Sequence, residues 1–178
     1  MKYLKLSLIS ILLIPVLVSA HGPSRQKVIQ EIEINANADE IWNIIENFCS
    51  IQDWHPGISS CNADNGSEIK SVRTIELKNG EKINEVLFKL DAENKRMQYA
   101  MQKLEEGRII KGLPIATHGS TISISESEGK SKVQWKGAFY RSFPGQQPPP
   151  ELTDKACIEA VTILYKTGLE NLKKLAEK

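Results

Sequence analysis

Residues 28–56 read VIQEIEINANADEIWNIIENFCSIQDWHP, and this stretch decides the fold more than any other part of the chain. Apolar residues alternate with acidic or amide residues from Val28 to Ile34, which predicts a strand with one buried face. Asn37 and Glu40 have the spacing of a helix capping box. Apolar residues then follow at i, i+3, i+4 and i+7, so a short amphipathic helix is predicted directly after the strand.

A segment of another kind precedes this strand. Residues 1–5 carry two lysines, residues 6–18 are mostly apolar, and Val18-Ser19-Ala20 places small residues at a cleavage point. This layout predicts a cleaved signal peptide over residues 1–20, because the apolar run is shorter than the ~20 residues of a membrane span. An uncleaved membrane anchor is the alternative. We therefore expect a periplasmic or secreted protein with one domain over residues 21–178.

Charge and composition limit the partners of that domain. The full chain has 23 basic and 22 acidic side chains. The signal segment contains only Lys2 and Lys5 among them, so cleavage would leave a formal net charge of −1. Such a balance argues against nucleic acid, which requires a concentrated basic face. No second long apolar run exists in the sequence, so no membrane span is expected after processing.

The three cysteines allow one disulfide. Cys49 and Cys61 could form a disulfide if the segment between them folds back, which would leave Cys157 unpaired. The alternative is three buried thiols. The sequence holds no CxxC pair or cysteine–histidine cluster, so we expect neither a metal site nor a cofactor.

The rest of the chain predicts a meander of strands followed by a long helix. Asn79-Gly80 is a strong signal for a hairpin turn. A helix with a continuous apolar stripe should begin at Thr153 or Asp154. The predicted strands cover residues 72–78, 82–90, 96–103, 117–125 and 132–140.

This element order predicts an α+β fold in two layers. A curved antiparallel sheet would wrap around the long C-terminal helix, with an internal cavity between the two. Gly137 in the last strand and Gly168 in the long helix would both leave room in that space.

The chain resembles the START-like, birch-pollen-allergen-like (SRPBCC) superfamily, in its polyketide cyclase/dehydrase-related branch. Several motifs carry this resemblance over residues 27–177, namely Ile32-Glu33-Ile34-Asn35-Ala36, Ile41-Trp42, Asp53-Trp54-His55-Pro56, Val72-Arg73-Thr74-Ile75, Asn84-Glu85, Gly112-Leu113-Pro114 and Gly168-Leu169-Glu170-Asn171-Leu172-Lys173. The resemblance implies a helix-grip fold with a hydrophobic ligand cavity. Together with the signal peptide, it is greatest to the exported MxaD type, accessory proteins of bacterial methanol oxidation.

Three groups of residues are candidates for contact with a ligand. Trp54 and His55 could line the cavity mouth, or Trp54 could only pack a short helix onto the sheet. Arg73 and Glu85 share the inward register around the hairpin turn, so they would form either a polar anchor for a ligand or an internal ion pair. The remaining inward candidates are Tyr99, Met101, His118, Trp135, Phe139 and Gly168.

These residues favour a binding or accessory protein. It would hold a small hydrophobic or amphipathic molecule between sheet and helix, or dock on a periplasmic dehydrogenase. A cyclase or dehydratase is the alternative, with His55, Glu85, Tyr99 or His118 as acid or base. No acid–base set has a diagnostic spacing, so we predict no catalytic residues. A third hypothesis is an interaction module whose interior is completely filled.

Overall fold

A computed structural model describes residues 22–178 of the chain. The predicted signal peptide lies outside the described residues. The described part contains seven strands, three α-helices and one 3₁₀ turn over Pro150–Leu152. In chain order they are β1 (Gln26–Ile34), α1 (Ala38–Ile45), α2 (Ile51–Trp54), β2 (Ile58–Ala63), β3 (Val72–Leu77), β4 (Lys82–Asp91), β5 (Arg96–Met101), β6 (Ile115–Ser127), β7 (Lys130–Arg141) and α3 (Asp154–Ala176).

All seven strands form one antiparallel sheet in the order β1-β7-β6-β5-β4-β3-β2. Strands β2 to β7 follow one another as a meander, and β1 returns to pair with β7. The three helices pack on one face of this curved sheet, and α3 contacts β1 and β7. The architecture is therefore the predicted α+β helix-grip fold.

Local sequence explains where α1 begins and ends. The Asn37 side chain accepts the Glu40 amide at 2.8 Å, and the Glu40 carboxylate accepts the Asn37 amide, as the capping box predicts. The predicted stripe extended to Phe48, but α1 ends at Ile45. Phe48 is instead fully buried from the turn that leads to α2.

The sequence prediction missed β2. This edge strand contains mostly polar residues, and only Ile58 is fully buried, so it lacks a readable alternation. The other strands lie within a few residues of their predicted bounds. The β3–β4 hairpin turns at Asn79-Gly80, where Gly80 has a φ of +85°.

Helix α3 fills the concave face of the sheet. Thr153 caps it by accepting the Ala156 amide at 3.2 Å. One side of α3 is buried through the residues Cys157, Val161, Tyr165, Gly168, Leu169 and Leu172. Within residues 22–178, no helix combines the length and the apolar character needed to cross a bilayer.

Cys49 and Cys61 form a disulfide, while Cys157 is a buried free thiol. The bond joins the segment after α1 to β2 and therefore holds α2 against the edge of the sheet. This pairing is the one that the sequence left open.

Candidate functional site

The space between the sheet and α3 is small. An inner cavity of about 20 Å³ lies there, lined by Glu85, Met101, His118, Trp135 and apolar side chains. That volume holds about one water molecule. A pocket for a small-molecule ligand usually has 300–1,000 Å³, so no such ligand fits in this state of the protein.

The room that the two glycines provide is occupied by aromatic rings. A Cβ at Gly168 would lie 2.5 Å from His55 Cδ2 and 2.9 Å from Trp135 Cζ3. A Cβ at Gly137 would overlap the Tyr165 hydroxyl and lie 2.8 Å from His118 Nε2. The room expected at both positions is therefore taken up by the protein's own side chains and does not enlarge the inner cavity.

A buried hydrogen-bond network connects sheet and helix at the wall of the inner cavity. Trp135 Nε1 lies 2.9 Å from Ser120 Oγ and 3.0 Å from the Tyr99 hydroxyl. The Tyr165 hydroxyl lies 2.8 Å from Ser120 Oγ and 2.6 Å from His118 Nε2. The Trp135 and Tyr165 rings also stack at 4.3 Å between centroids. The polar tips of Tyr99 and His118, which were candidate ligand contacts, are therefore bonded within the protein, Tyr99 to Trp135 and His118 to Tyr165.

Burial sets the protonation of this network. It lowers the pKa of His118, because the imidazolium would lose its hydration, and only the Glu85 carboxylate acts in the opposite direction. It raises the pKa of Tyr99 to about 12 and that of Tyr165 well above its usual value. Near neutral pH all three side chains are uncharged and bond as neutral groups.

Arg73 and Glu85 are direct partners across β3 and β4, as the hairpin register predicted. Arg73 Nε donates to Glu85 Oε2 at 2.8 Å, and Nη2 lies 2.6 Å from the same oxygen. The guanidinium also donates to the Phe48 carbonyl and lies 4.1 Å from the centroid of the Phe48 ring and 4.6 Å from that of Tyr99. Both side chains are buried, so this pair is an internal ion pair.

His55 joins the segment after α2 to the long helix. The Gly57 amide donates to His55 Nδ1 at 3.0 Å, which leaves Nε2–H to donate to the Leu164 carbonyl at 2.9 Å. Burial lowers the pKa of His55, more than its hydrogen bond to the Leu164 carbonyl raises it. A neutral imidazole with the proton on Nε2 satisfies both contacts.

A mouth groove of about 310 Å³ opens between α3, the β3–β4 turn and residues 111–113. His55 forms part of its floor, and Lys78 and Lys111 are at its rim. Its apolar lining consists of Leu77, Leu113, Ala160, Ile163 and Leu164. Three of these, Leu77, Leu113 and Leu164, also line the inner cavity, so they separate the groove from the interior.

The structure thus divides the predicted site residues between three places. His55 lines the mouth groove, while Glu85, Tyr99, Met101, His118 and Trp135 line the inner cavity. Trp54 packs edge-on against Trp135, with ring centroids 5.4 Å apart. Arg73, Phe139 and Gly168 line neither space.

Sequence reasoning missed two members of the network. Ser120 follows His118 at period two, so the strand pattern placed it on the inward face, but a serine there gives no signal of its own. Tyr165 lies on the apolar stripe of the predicted long helix, where an aromatic residue indicates packing and not a polar contact. Leu113 belongs to one of the motifs of the family resemblance but was not a candidate site residue, although it separates the mouth groove from the inner cavity.

No group of three or more His, Cys, Asp or Glu side chains converges within residues 22–178. His55 and His118 each use a ring nitrogen in the protein bonds described above.

Solved structures share this fold. An uncharacterized protein from Bacillus thuringiensis is 24% identical, with a TM-score of 0.69 over 86% of this chain and 100% of its own. The protein XoxI from Bacillus cereus is 24% identical, with a TM-score of 0.68 over 84% of this chain and 94% of its own. Ara h 8.0201 is 11% identical, with a TM-score of 0.63 over 86% of this chain and 98% of its own.

Fold and site together define a helix-grip protein of the START-like, birch-pollen-allergen-like superfamily. The family model described as polyketide cyclase / dehydrase and lipid transport matches residues 25–177. The chain belongs to that family. A search of curated proteins found no match.

Proposed function

We propose that the protein binds a small hydrophobic or amphipathic molecule at the mouth groove. The observation that carries this proposal is that the groove and the inner cavity share one wall, formed by Leu77, Leu113 and Leu164. Family and fold support a ligand-binding protein of the SRPBCC type. The groove has the volume of a small-ligand pocket, whereas the inner cavity has room for about one water.

The groove has the chemistry for such a ligand. Its walls are aliphatic, and Ile163 is 65% exposed at its edge, so a ligand would cover apolar surface that water now contacts. Lys78 and Lys111 at the rim could face the polar end of an amphipathic ligand. A longer ligand would enter the interior if Leu113 and Leu164 moved apart.

Catalysis is the second candidate, because Glu85 and His118 line the same inner cavity. A general acid and a general base must both reach the substrate. Here Glu85 is held by Arg73 and His118 by Tyr165, in a space of about 20 Å³. The arrangement therefore favours binding over a cyclase or dehydratase reaction.

We extend the proposal to an exported accessory role, such as assistance to a periplasmic dehydrogenase of the kind that MxaD-type proteins serve. The support is the signal-peptide layout of residues 1–20 and the Cys49–Cys61 disulfide, since such bonds persist in oxidising compartments. Cell fractionation tests the location. Protein found only in the cytoplasm, with its leader uncleaved, would contradict export.

Titration with the neutral apolar dye N-phenyl-1-naphthylamine tests the groove. The variant Ile163→Lys places a charge in the groove at an exposed position and should weaken dye binding at least about tenfold, the effect of losing one buried aliphatic contact. Ile69→Lys is the matched control, because Ile69 is 49% exposed and does not line the groove. Equal binding by the two variants would place the ligand elsewhere.

Native mass spectrometry of the protein purified from its own cells then addresses the natural ligand and partner. A retained small molecule that Ile163→Lys loses supports the binding role. A co-purified dehydrogenase supports the accessory role. If the purified protein carries neither, and the dye does not bind, the proposal is wrong.

A further inference from the structure

The outer face of the sheet, opposite the helices, carries a second and larger concave site. This outer groove has a volume of about 520 Å³. Its floor crosses the strands at the small residues Ala100, Gly119 and Ala138, which are direct partners in neighbouring strands. No other described element covers them. The groove extends from β4 to β1, four strand spacings or about 19 Å.

The two ends of the outer groove differ in chemistry. Arg25, Lys27 and Lys136 lie at the β1–β7 end. Phe88 lies at the β4 end, where the pairing of β4 with β5 is irregular, and it is 60% exposed. A cationic end and an aromatic end are therefore joined by a floor of small side chains.

The three cations lack carboxylate partners. Among the ion pairs of residues 22–178, none involves Arg25, Lys27 or Lys136. Lys27 is paired with Ala138 and Lys136 with Ile29, so the two lysines are diagonal neighbours on one face. Like charges at that spacing repel, and an anion between them would remove the repulsion.

Gly119 leaves the floor of the groove open, although no neighbouring atom requires a glycine at this position. A Cβ at this position would meet nothing within 4 Å, and the backbone is not in the left-handed region. Glycine in the interior of a strand weakens the strand and often lies where another molecule approaches closely. The residue is therefore explained by access to the groove rather than by contacts within the protein.

From these observations we propose that the outer groove binds a single-chain anionic amphiphile. Its acidic group lies between Lys27 and Lys136, its apolar body crosses Ala100, Gly119 and Ala138, and its far end contacts Phe88. The site is on the opposite face of the sheet from the mouth groove and does not depend on the proposed function.

An acidic peptide fits the same groove less well. The backbone groups of β5, β6 and β7 are already paired in the sheet ladder, and the groove crosses these strands instead of following an edge. A peptide lying there would bury its own amides and carbonyls with few partners, and unsatisfied backbone groups oppose binding. An alkyl chain has no such groups.

Nitrogen–proton correlation spectra of the purified protein, titrated with sodium decanoate at low salt, test the proposal. The amide signals of Ala100, Gly119 and Ala138 should shift and saturate together. Decyltrimethylammonium, which has the same chain and the opposite charge, should bind at least about tenfold more weakly. Shifts confined to Leu113 and Leu164 would assign the amphiphile to the mouth groove and overturn the proposal.

Two variants separate the site from the fold. Gly119→Val places a side chain in the open floor and should abolish the decanoate shifts at an unchanged or higher melting temperature, since valine favours strands. Lys27→Gln combined with Lys136→Gln should weaken decanoate binding about five- to tenfold, as expected for two exposed charge contacts. The control pair is Lys130→Gln with Lys132→Gln on the same strand. Equal affinities of the two charge variants would overturn the proposal.

Discussion

Gly168 shows how one missing side chain admits another residue. Its place in α3 is in contact with His55 and Trp135, so the imidazole approaches the helix backbone and bonds the Leu164 carbonyl. A glycine inside a helix costs about 1 kcal/mol relative to alanine. The His55 contact and the packing of Trp135 offset that cost.

The variant Gly168→Ala tests this balance. Because the new Cβ would lie 2.5 Å from His55 Cδ2, we expect the free energy of unfolding to fall by about 1–3 kcal/mol, despite the better helix propensity of alanine. Gly119→Ala is the matched control, since its Cβ meets nothing. Urea unfolding measures both, and a Gly168→Ala variant as stable as the parent protein would contradict the tight approach.

A second prediction concerns the buried ion pair. Arg73→Met would leave the Glu85 carboxylate buried without its partner, so we expect a loss of about 3–5 kcal/mol. Arg73→Met combined with Glu85→Leu should recover most of that loss, because no charge then remains buried. Thermal melting of the parent protein and both variants measures these changes in stability. An unchanged melting temperature for Arg73→Met would mean that the ion pair does not contribute to stability.

At this scale the sequence predicts contacts within a hairpin better than contacts between distant elements. The pairing of Arg73 with Glu85 follows from counting back from Asn79-Gly80, because register and turn are local. The bond between Tyr165 and Ser120 joins residues 45 positions apart. Only the packing of α3 onto the sheet brings them together, and no local pattern encodes it.

Among the helices, α2 has the least stabilisation from its own residues. It is only four residues long, and its N-cap makes no side-chain hydrogen bond. Helices this short are not stable alone. The Cys49–Cys61 bond spans it, and Asn171 of α3 donates to the Trp54 carbonyl at 2.9 Å.

Reduction of the disulfide should therefore destabilise the protein. Closing a loop of 12 residues restricts the unfolded chain and stabilises the fold by about 3 kcal/mol. We expect a lower melting temperature in dithiothreitol, and the same value for Cys49→Ser with Cys61→Ser without reductant. Cys157→Ser treated in parallel shows whether any effect comes from the free thiol. A parent protein unaffected by the reductant would contradict the prediction.

The elements that the sequence predicted well are those with one buried face and a clear boundary signal. The capping box fixed the start of α1, and alternation fixed β3 to β7 within a few residues. The edge strand β2 has few buried residues, and the end of α1 has no glycine or proline signal. In both cases tertiary contacts decide the structure.

Over the whole molecule, the family resemblance predicted the fold but not the state of the interior. A curved sheet around a helix can enclose a large space or fill it, depending on side-chain size. Here Trp135, Tyr165 and His55 occupy the positions beside the two glycines, and the inner cavity is reduced to about 20 Å³. Volume is a sum over many contacts, which no single motif reports.

The buried histidines should make global stability depend on pH. The pKa values of His55 and His118 lie below 6.5 in the folded protein, so below that pH the unfolded chain binds protons that the folded protein does not. The free energy of unfolding should fall as the pH decreases from about 6.5, by at most about 1.4 kcal/mol per pH unit for each histidine. Asp64, Asp91 and Glu177 act only at lower pH, because their pKa values are lowered from about 4.

Urea unfolding at pH 7.5 and 5.0 measures this dependence. In His118→Gln, the difference in free energy of unfolding between pH 7.5 and pH 5.0 should shrink to the part that His55 contributes. Equal stability of the parent protein at both pH values would mean that the folded state accepts these protons.

The pairing of β1 with β7 has a consequence for how the chain reaches its structure. Gln26 and Phe139 are neighbours in the sheet although they lie 113 positions apart in the chain. A contact so distant along the chain raises the contact order, and proteins rich in such contacts fold in milliseconds to seconds instead of microseconds. Strand β1 thus obtains its sheet partner β7 only after the other strands of the sheet have been made.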